Sequence, residues 1–160
     1  LGQLVWPTTR PTGLLRLAER GDAELCLAWF QAFLADADEQ AGRPRGSSPE
    51  ISSFSLDDMH RRIADEQVWL WTLDDGTAVH VTAASPPAFG VSRIGPVYTP
   101  PEHRGRGFAS TAVAEVSHRV HGTGARVCLF TDQANPTSNG IYQALGYEPV
   151  ADLVNLVIRR

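Results

Sequence analysis

Two short stretches of this sequence carry residue types that could do chemistry. The first, Arg104-Gly105-Arg106-Gly107-Phe108-Ala109-Ser110, sets two guanidiniums and two glycines just before a run with helical periodicity. The first amides of a helix lack intrahelical acceptors and carry the positive end of its dipole. Glycine lets a ligand approach the backbone closely, so the stretch suits a diphosphate. It is not a P-loop, since no Gly-Lys-Ser/Thr follows, and it does not complete the dinucleotide fingerprint. The second stretch runs from Asn135-Pro136 through Tyr142 to Leu145-Gly146-Tyr147. On a helix, Asn135, Asn139 and Tyr142 fall near one face, offset from the packing pair Ile141 and Leu145. Amides suit a polar ligand arm. A phenol with an ordinary pKa of about 10 stays protonated at neutral pH and can serve as an acid.

The elements that must position these groups follow from patterning. Residues 1–12, with Pro7 and Pro11, read as a tail or linker, and 13–160 as a single domain. Gly13–Ala18 is a short apolar strand. Asp22 is placed to cap a helix whose stripe is Leu25, Ala28, Trp29, Ala32 and Phe33. The acidic end Asp36–Glu39 runs into a Gly/Pro/Ser-rich connection, 41–49, which reads as a mobile, solvated loop. Ser55 and Asp58 form a capping-box pair ahead of a helix burying Met59, Ile63 and Leu56. Gln67–Leu73 and Thr77–Ala83 form a hairpin turned by Asp74-Asp75-Gly76, with Trp69 and Trp71 packing on one face.

A strand over Gly90–Thr99 leads into the glycine loop. The helix after it carries the stripe Ala109, Ala112, Val113, Val116 and Val120. Arg126–Thr131 reads as a strand buried on both faces, with Cys128 in the core. Asn135 caps the last helix and Gly146 ends it. Tyr147–Val150 and Val154–Arg159 are expected to supply closing strands. The class is α/β of the α+β type, with a mixed, predominantly antiparallel sheet. The strand–helix–strand unit through the glycine loop should be a right-handed crossover.

With both motifs and this element order in place, the chain resembles the GNAT superfamily of acetyl-CoA-dependent N-acetyltransferases. Arg104 to Ala109 fits that family's (Gln/Arg)-x-x-Gly-x-(Gly/Ala) pattern, and the Asn135–Tyr147 segment is similar to its later motif. The resemblance implies helices on both faces of the sheet and a splayed strand pair forming the acetyl-CoA cleft. It implies that the backbone of Val97, Tyr98 and Thr99 pairs with the pantetheine arm. The amides of Gly105, Arg106, Gly107, Phe108, Ala109 and Ser110 would hold the pyrophosphate, with Arg104 also among the cofactor-binding residues, Asn135 on the arm and Asn139 a second contact to it. Tyr142 would protonate the departing thiolate after direct attack by a primary amine. Rival readings are a catalytically silent acyl-CoA-binding or sensing module, and a nucleotide-binding domain using the same loop.

Weaker candidates surround these. Glu102 and His103 read as a solvated loop face, His80 as a satisfied structural histidine, and Asp132 as a base candidate beyond its strand. No general base is assigned. The acceptor, an amine-bearing molecule, is left to residues 22–66, which carry no motif.

Bulk properties bound the rest. A net charge of −4 and pI near 5.7 argue against general nucleic-acid binding. No apolar run approaches membrane-spanning length. Cys26 and Cys128 show no metal-ligand spacing, so the reading is a reduced, cytoplasmic protein without metal, the homodimer left open. The sequence begins at Leu1 and its only methionine is Met59. The expectation is therefore that a natural start, or an upstream domain, lies outside it.

Overall fold

The computed structural model describes residues 1–133 and 135–153. Strands β1 (Leu14–Leu17), β2 (Val68–Thr72), β3 (Ala78–Ala84), β4 (Val91–Tyr98) and β5 (Arg126–Leu129) form one sheet in that order. The first three pairings are antiparallel and β4–β5 is parallel. Helix α3 (Phe108–Gly122) joins the parallel pair. Helices α1 (Ala23–Gln40) and α2 (Leu56–Ala64) precede β2, and α4 (Pro136–Ala144) follows β5.

Strand alternation, with a β3 bulge opposite Trp71 and Thr72 that turns Val79 to the other face from Val81, divides the core in two. Trp69, Trp71 and Val79 pack with α3 residues Phe108, Ala112, Val113 and Val116. Val68, Leu70, Val81 and Ala83 point the other way, against Cys26 and Phe30 of α1 and Met59 and Ile63 of α2. The sheet therefore has helices on both faces, as expected, and the tryptophan pair does pack on one of them. The Ser55–Asp58 capping box forms as anticipated.

Several local expectations give way. Helix α1 buries Ala23, Cys26 and Phe30, while Leu25 and Ala28 are exposed. Its sequence is apolar on more than one side, so the sheet rather than periodicity selects the buried face. Asp22 makes no side-chain cap; its carboxylate takes the Arg16 guanidinium and the Glu19 amide instead. Leu56 is exposed at the start of α2. Strand β5 is an edge of the sheet among the described residues, so Cys128 is only half-buried and Phe130 is exposed. Tyr147–Val150 forms no strand; the Tyr147 ring is buried and its hydroxyl meets Ser117 Oγ at 2.6 Å. The expected strand at Val154–Arg159 lies outside the described residues.

Two segments that read as loose are fastened. Asp38 is buried at the end of α1, where it accepts from Arg43, the Ser48 amide and the Ser48 hydroxyl, pinning the 41–48 connection. At the N-terminus, Gly2 donates to the Gly146 carbonyl and Val5 to that of Leu145. Arg10 pairs with Glu115, and Trp71 Nε1 donates to the Thr12 carbonyl at 2.8 Å.

This docking explains Gly146. Its φ is +89°, and a Cβ placed there would sit 2.1 Å from the Gln3 carbonyl oxygen. Gly42, at φ +70°, has open space around it. Gly146→Ala should cost about 2–4 kcal/mol in urea unfolding, and Gly42→Ala about 1, because only the first adds a backbone clash to left-handed strain. Equal losses at the two sites would remove the clash from the explanation.

Candidate active site

The site begins where β4 leaves β5. Their pairing runs Val91↔Arg126, Ser92↔Val127, Arg93↔Cys128 and Ile94↔Leu129, and goes no further. On its other edge β4 stays bonded to β3 as far as Val81↔Tyr98. That pairing passes through a bulge: Ala84↔Ile94 is followed by Thr82↔Val97, with one intervening residue on β3 and two, Gly95 and Pro96, on β4. A bulge bends its strand and increases local twist. It sits directly beyond the last β4–β5 pair, where β5 itself ends. Val97 and Tyr98 thus pair with β3 on one edge and have no β5 partner on the other among the described residues. An extended ligand can pair with such an edge as another strand would.

After β4, Pro100 and Pro101 stop the ladder, since neither has an N–H to donate. A single tight turn, Pro101–His103, brings the chain to the glycine loop. Gly107 is left-handed, at φ +82°, and precedes α3. The first backbone bond of that helix runs from the Thr111 amide to the Gly107 carbonyl. The amides of Phe108, Ala109 and Ser110 therefore sit on the open turn. A Cβ at Gly105 would meet nothing within 4 Å, and one at Gly107 only Pro11 Cδ and Ser110 Oγ at 4.0 Å. The loop is roomy and its backbone unshielded, which suits a bulky anion.

The side chains of the loop divide their tasks. Arg104 turns back: its Nε donates to the Thr99 carbonyl at 2.9 Å and its other guanidinium nitrogen to Asp36 at 2.6 Å. Arg106 stays at the loop, its guanidinium 5.1 Å from the Phe108 ring centre. Ser110 Oγ donates to the Gly107 carbonyl. The buried atoms His103 Nδ1 and Thr111 Oγ1 find no partner among the described residues.

The second motif folds as a capped helix. Asn135 Oδ1 accepts from the Ser138 amide, and its Nδ2 donates to Gln40 Oε1 at the end of α1. Asn139 Nδ2 reaches back to the carbonyls of Asp132 and Gln133, so both asparagines organise the β5–α4 turn. Tyr142 packs against the α3-side core with its ring 6.1 Å from Tyr147. Burial pushes its phenol up to about 12, and its hydroxyl has no hydrogen-bond partner among the described residues.

Other candidates resolve on burial. His80 is fully enclosed, with Nδ1 at 2.7 Å from Thr99 Oγ1 and Nε2 at 2.6 Å from Thr82 Oγ1. Burial holds its pKa down at about 3, which makes it a structural histidine. Burial also pushes the Cys26 thiol up to about 12, unsuited to a nucleophile.

Sequence reasoning did not anticipate an open cleft of about 560 Å³ lined by Asp36, Glu39, Gln40, Arg45, Pro101 and Arg104. It lies between the C-terminal end of α1 and the turn leading into the glycine loop. The only signal was composition, an acidic helix end followed by arginines.

The comparisons agree with this geometry. Residues 82–154, from β3 past α4, match the family model of FR47-like proteins. A predicted acetyltransferase from Clostridium acetobutylicum, solved with acetyl-CoA, superposes with a TM-score of 0.64 over 90% of this chain and 95% of its own, at 15% identity. This is a GNAT-fold chain. A GCN5-related N-acetyltransferase from Ralstonia eutropha gives a TM-score of 0.65 at 18% identity, covering 90% of this chain and 97% of its own. A ribosomal-protein-alanine N-acetyltransferase from Brucella melitensis gives 0.65 at 20% identity, with 86% of each chain covered. No curated protein sequence matches the chain. The mixed α/β sheet with helices on both faces, expected from the motifs and element order, is therefore the fold of these acetyltransferase structures.

Proposed function

We propose that this protein is an acetyl-CoA-dependent N-acetyltransferase acting on a primary amine. The observation that carries the reading is the free edge of β4 beyond Ile94, ending beside the Gly107-capped start of α3. The edge from Val97 to Thr99 offers backbone groups to the pantetheine arm. The loop amides from Gly105 to Ser110 and the Arg106 guanidinium take the pyrophosphate, with Asn135 and Asn139 bordering the arm. The Clostridium acetobutylicum structure, solved with acetyl-CoA, supports this donor.

In this reading the amine enters from the Asp36–Arg104 cleft and its nitrogen attacks the thioester carbonyl carbon. Backbone N–H groups at the end of β4 stabilise the oxyanion that forms. As the C–S bond breaks, the Tyr142 hydroxyl gives its proton to the leaving thiolate; the ammonium formed at the new C–N bond releases one to solvent, and the Tyr142 phenolate regains its proton from solvent. Amide and CoA leave. No covalent enzyme intermediate is needed.

Thermal unfolding tests the donor. Acetyl-CoA at a hundred times its Kd should add about 2.7 kcal/mol to the folded state. For a domain of this size that raises Tm by about 5–10 °C, while NAD and ATP should do far less. Gly107→Val should abolish the acetyl-CoA shift, because its left-handed φ excludes a branched side chain and the phosphate approach is blocked. Stabilisation by NAD or ATP and not by acetyl-CoA would overturn the proposal.

A further inference from the structure

Resting on the acetyltransferase reading, we infer that Arg104 is a positioning residue for the reaction, acting through the Thr99 carbonyl, and that Arg106 alone supplies the side-chain charge to the diphosphate. Three contacts commit the Arg104 guanidinium. Its Nε donates to Thr99 O at 2.9 Å, its Nη2 to Asp36 Oδ2 at 2.6 Å, and it lies 5.7 Å from the ring centre of Tyr98. A planar fork can serve two acceptors and stack on an aromatic ring at once. Thr99 is also gripped from the other side, through Oγ1, by the enclosed His80. The residue just past β4, beside which the thioester would lie, is thus held through both backbone and side chain.

Asp36 extends this hold across the cleft. It accepts from Arg104 and from Arg45 of the pinned connection, and Arg45 also reaches Glu39 at 3.2 Å. The end of β4 is thereby tied to the wall of the cleft through which the amine enters. An exposed ion pair contributes little to stability, so the chain Thr99–Arg104–Asp36–Arg45 serves to set relative position. Arg106 differs: it stacks on Phe108 and makes no ion pair among the described residues, leaving its charge for a ligand.

The two arginines separate on two donors. Acetyl-CoA carries the diphosphate; acetylpantetheine carries the thioester and arm without it. Thiol release is followed with each donor against a diamine, an amino acid, an aminoglycoside and a peptide amino terminus, and acetyl-CoA Kd by calorimetry. Arg104→Ala should lower kcat about tenfold or more with both donors, as small misplacements of reacting groups do, with acetyl-CoA Kd nearly unchanged. Asp36→Asn should lower kcat in the same way and add little to Arg104→Ala, since the two act through one contact. Arg106→Ala should weaken acetyl-CoA binding and leave acetylpantetheine kinetics alone. Melting curves confirm that each variant is folded, and Asp36→Asn carries the test should Arg104→Ala not fold. An Arg104→Ala defect confined to acetyl-CoA affinity, or unchanged turnover, would overturn the inference. Failure of the unsubstituted protein to bind acetyl-CoA would instead overturn the donor reading, and shows before any substitution is made.

Discussion

Tyr142→Phe is expected to lower turnover with acetyl-CoA by about 10²–10³-fold, within the range for losing a general acid, while acetyl-CoA affinity changes little. The substitution removes one oxygen and keeps the ring against Tyr147 and the α3-side core. The hydroxyl satisfies no partner among the described residues, so its loss should also leave the melting temperature near that of the parent. Burial places the phenol at about 12. It therefore remains protonated through neutral and mildly alkaline pH, and no fall in rate between pH 7 and 10 should be traceable to it. The check is a steady-state comparison of the two proteins over that range, with Kd measured separately. Equal turnover at every pH would remove Tyr142 from proton transfer and assign it to packing.

The parts of this molecule legible in its sequence are those whose cause is local. Asn135-Pro136 begins a helix because a short acceptor side chain and a residue without an N–H belong at a helix start, and the Asn135 oxygen does take the Ser138 amide. The Ser55–Asp58 box and the glycine loop before α3 follow from the same kind of chemistry. The sheet class followed from alternation, and Val68, Trp69, Leu70 and Trp71 divide between the two cores accordingly.

What stayed hidden depends on residues far apart in the chain. The buried face of α1 is chosen by what the sheet offers it. Asp38 looks like part of a solvated acidic end until Arg43 and Ser48 fold back over it. Arg104 and Asp36 are 68 residues apart; no spacing rule links them, yet their pairing turns a residue that reads as a phosphate ligand toward the strand end. The Asp36–Arg104 cleft was missed for the same reason.

Stability should fall on acidification well above the range in which carboxylates titrate, and His80 is the cause. The ring is enclosed on β3, opposite Trp71 on β2, and both nitrogens are engaged by threonine hydroxyls. Burial lowers its pKa from 6.5 to about 3. The unfolded chain therefore binds a proton below pH 6.5 that the folded protein refuses, and the folded state loses ground until about pH 3. With one pKa unit worth about 1.4 kcal/mol, the loss from this residue between pH 7 and pH 5 is about 2 kcal/mol.

The lowered carboxylates act elsewhere on the scale. Asp38, held at about 2 by the Ser48 hydroxyl against the cost of burial, then by the Ser48 amide and Arg43, gives stability that is lost only below its ordinary 3.8. Asp22, lowered by Arg16, and Asp75, lowered by the Thr77 amide, likewise act below 3.8. Urea unfolding at pH 7, 6, 5 and 4.5 should show the parent losing stability across this window and His80→Gln losing about 2 kcal/mol less between pH 7 and 5. His80→Gln starts lower at pH 7, since a glutamine cannot reproduce both hydroxyl contacts from the same place, so the slope and not the starting value is diagnostic. Parallel pH profiles for the two proteins would mean that the ring is hydrated in solution and that Thr99 is not held by an enclosed imidazole.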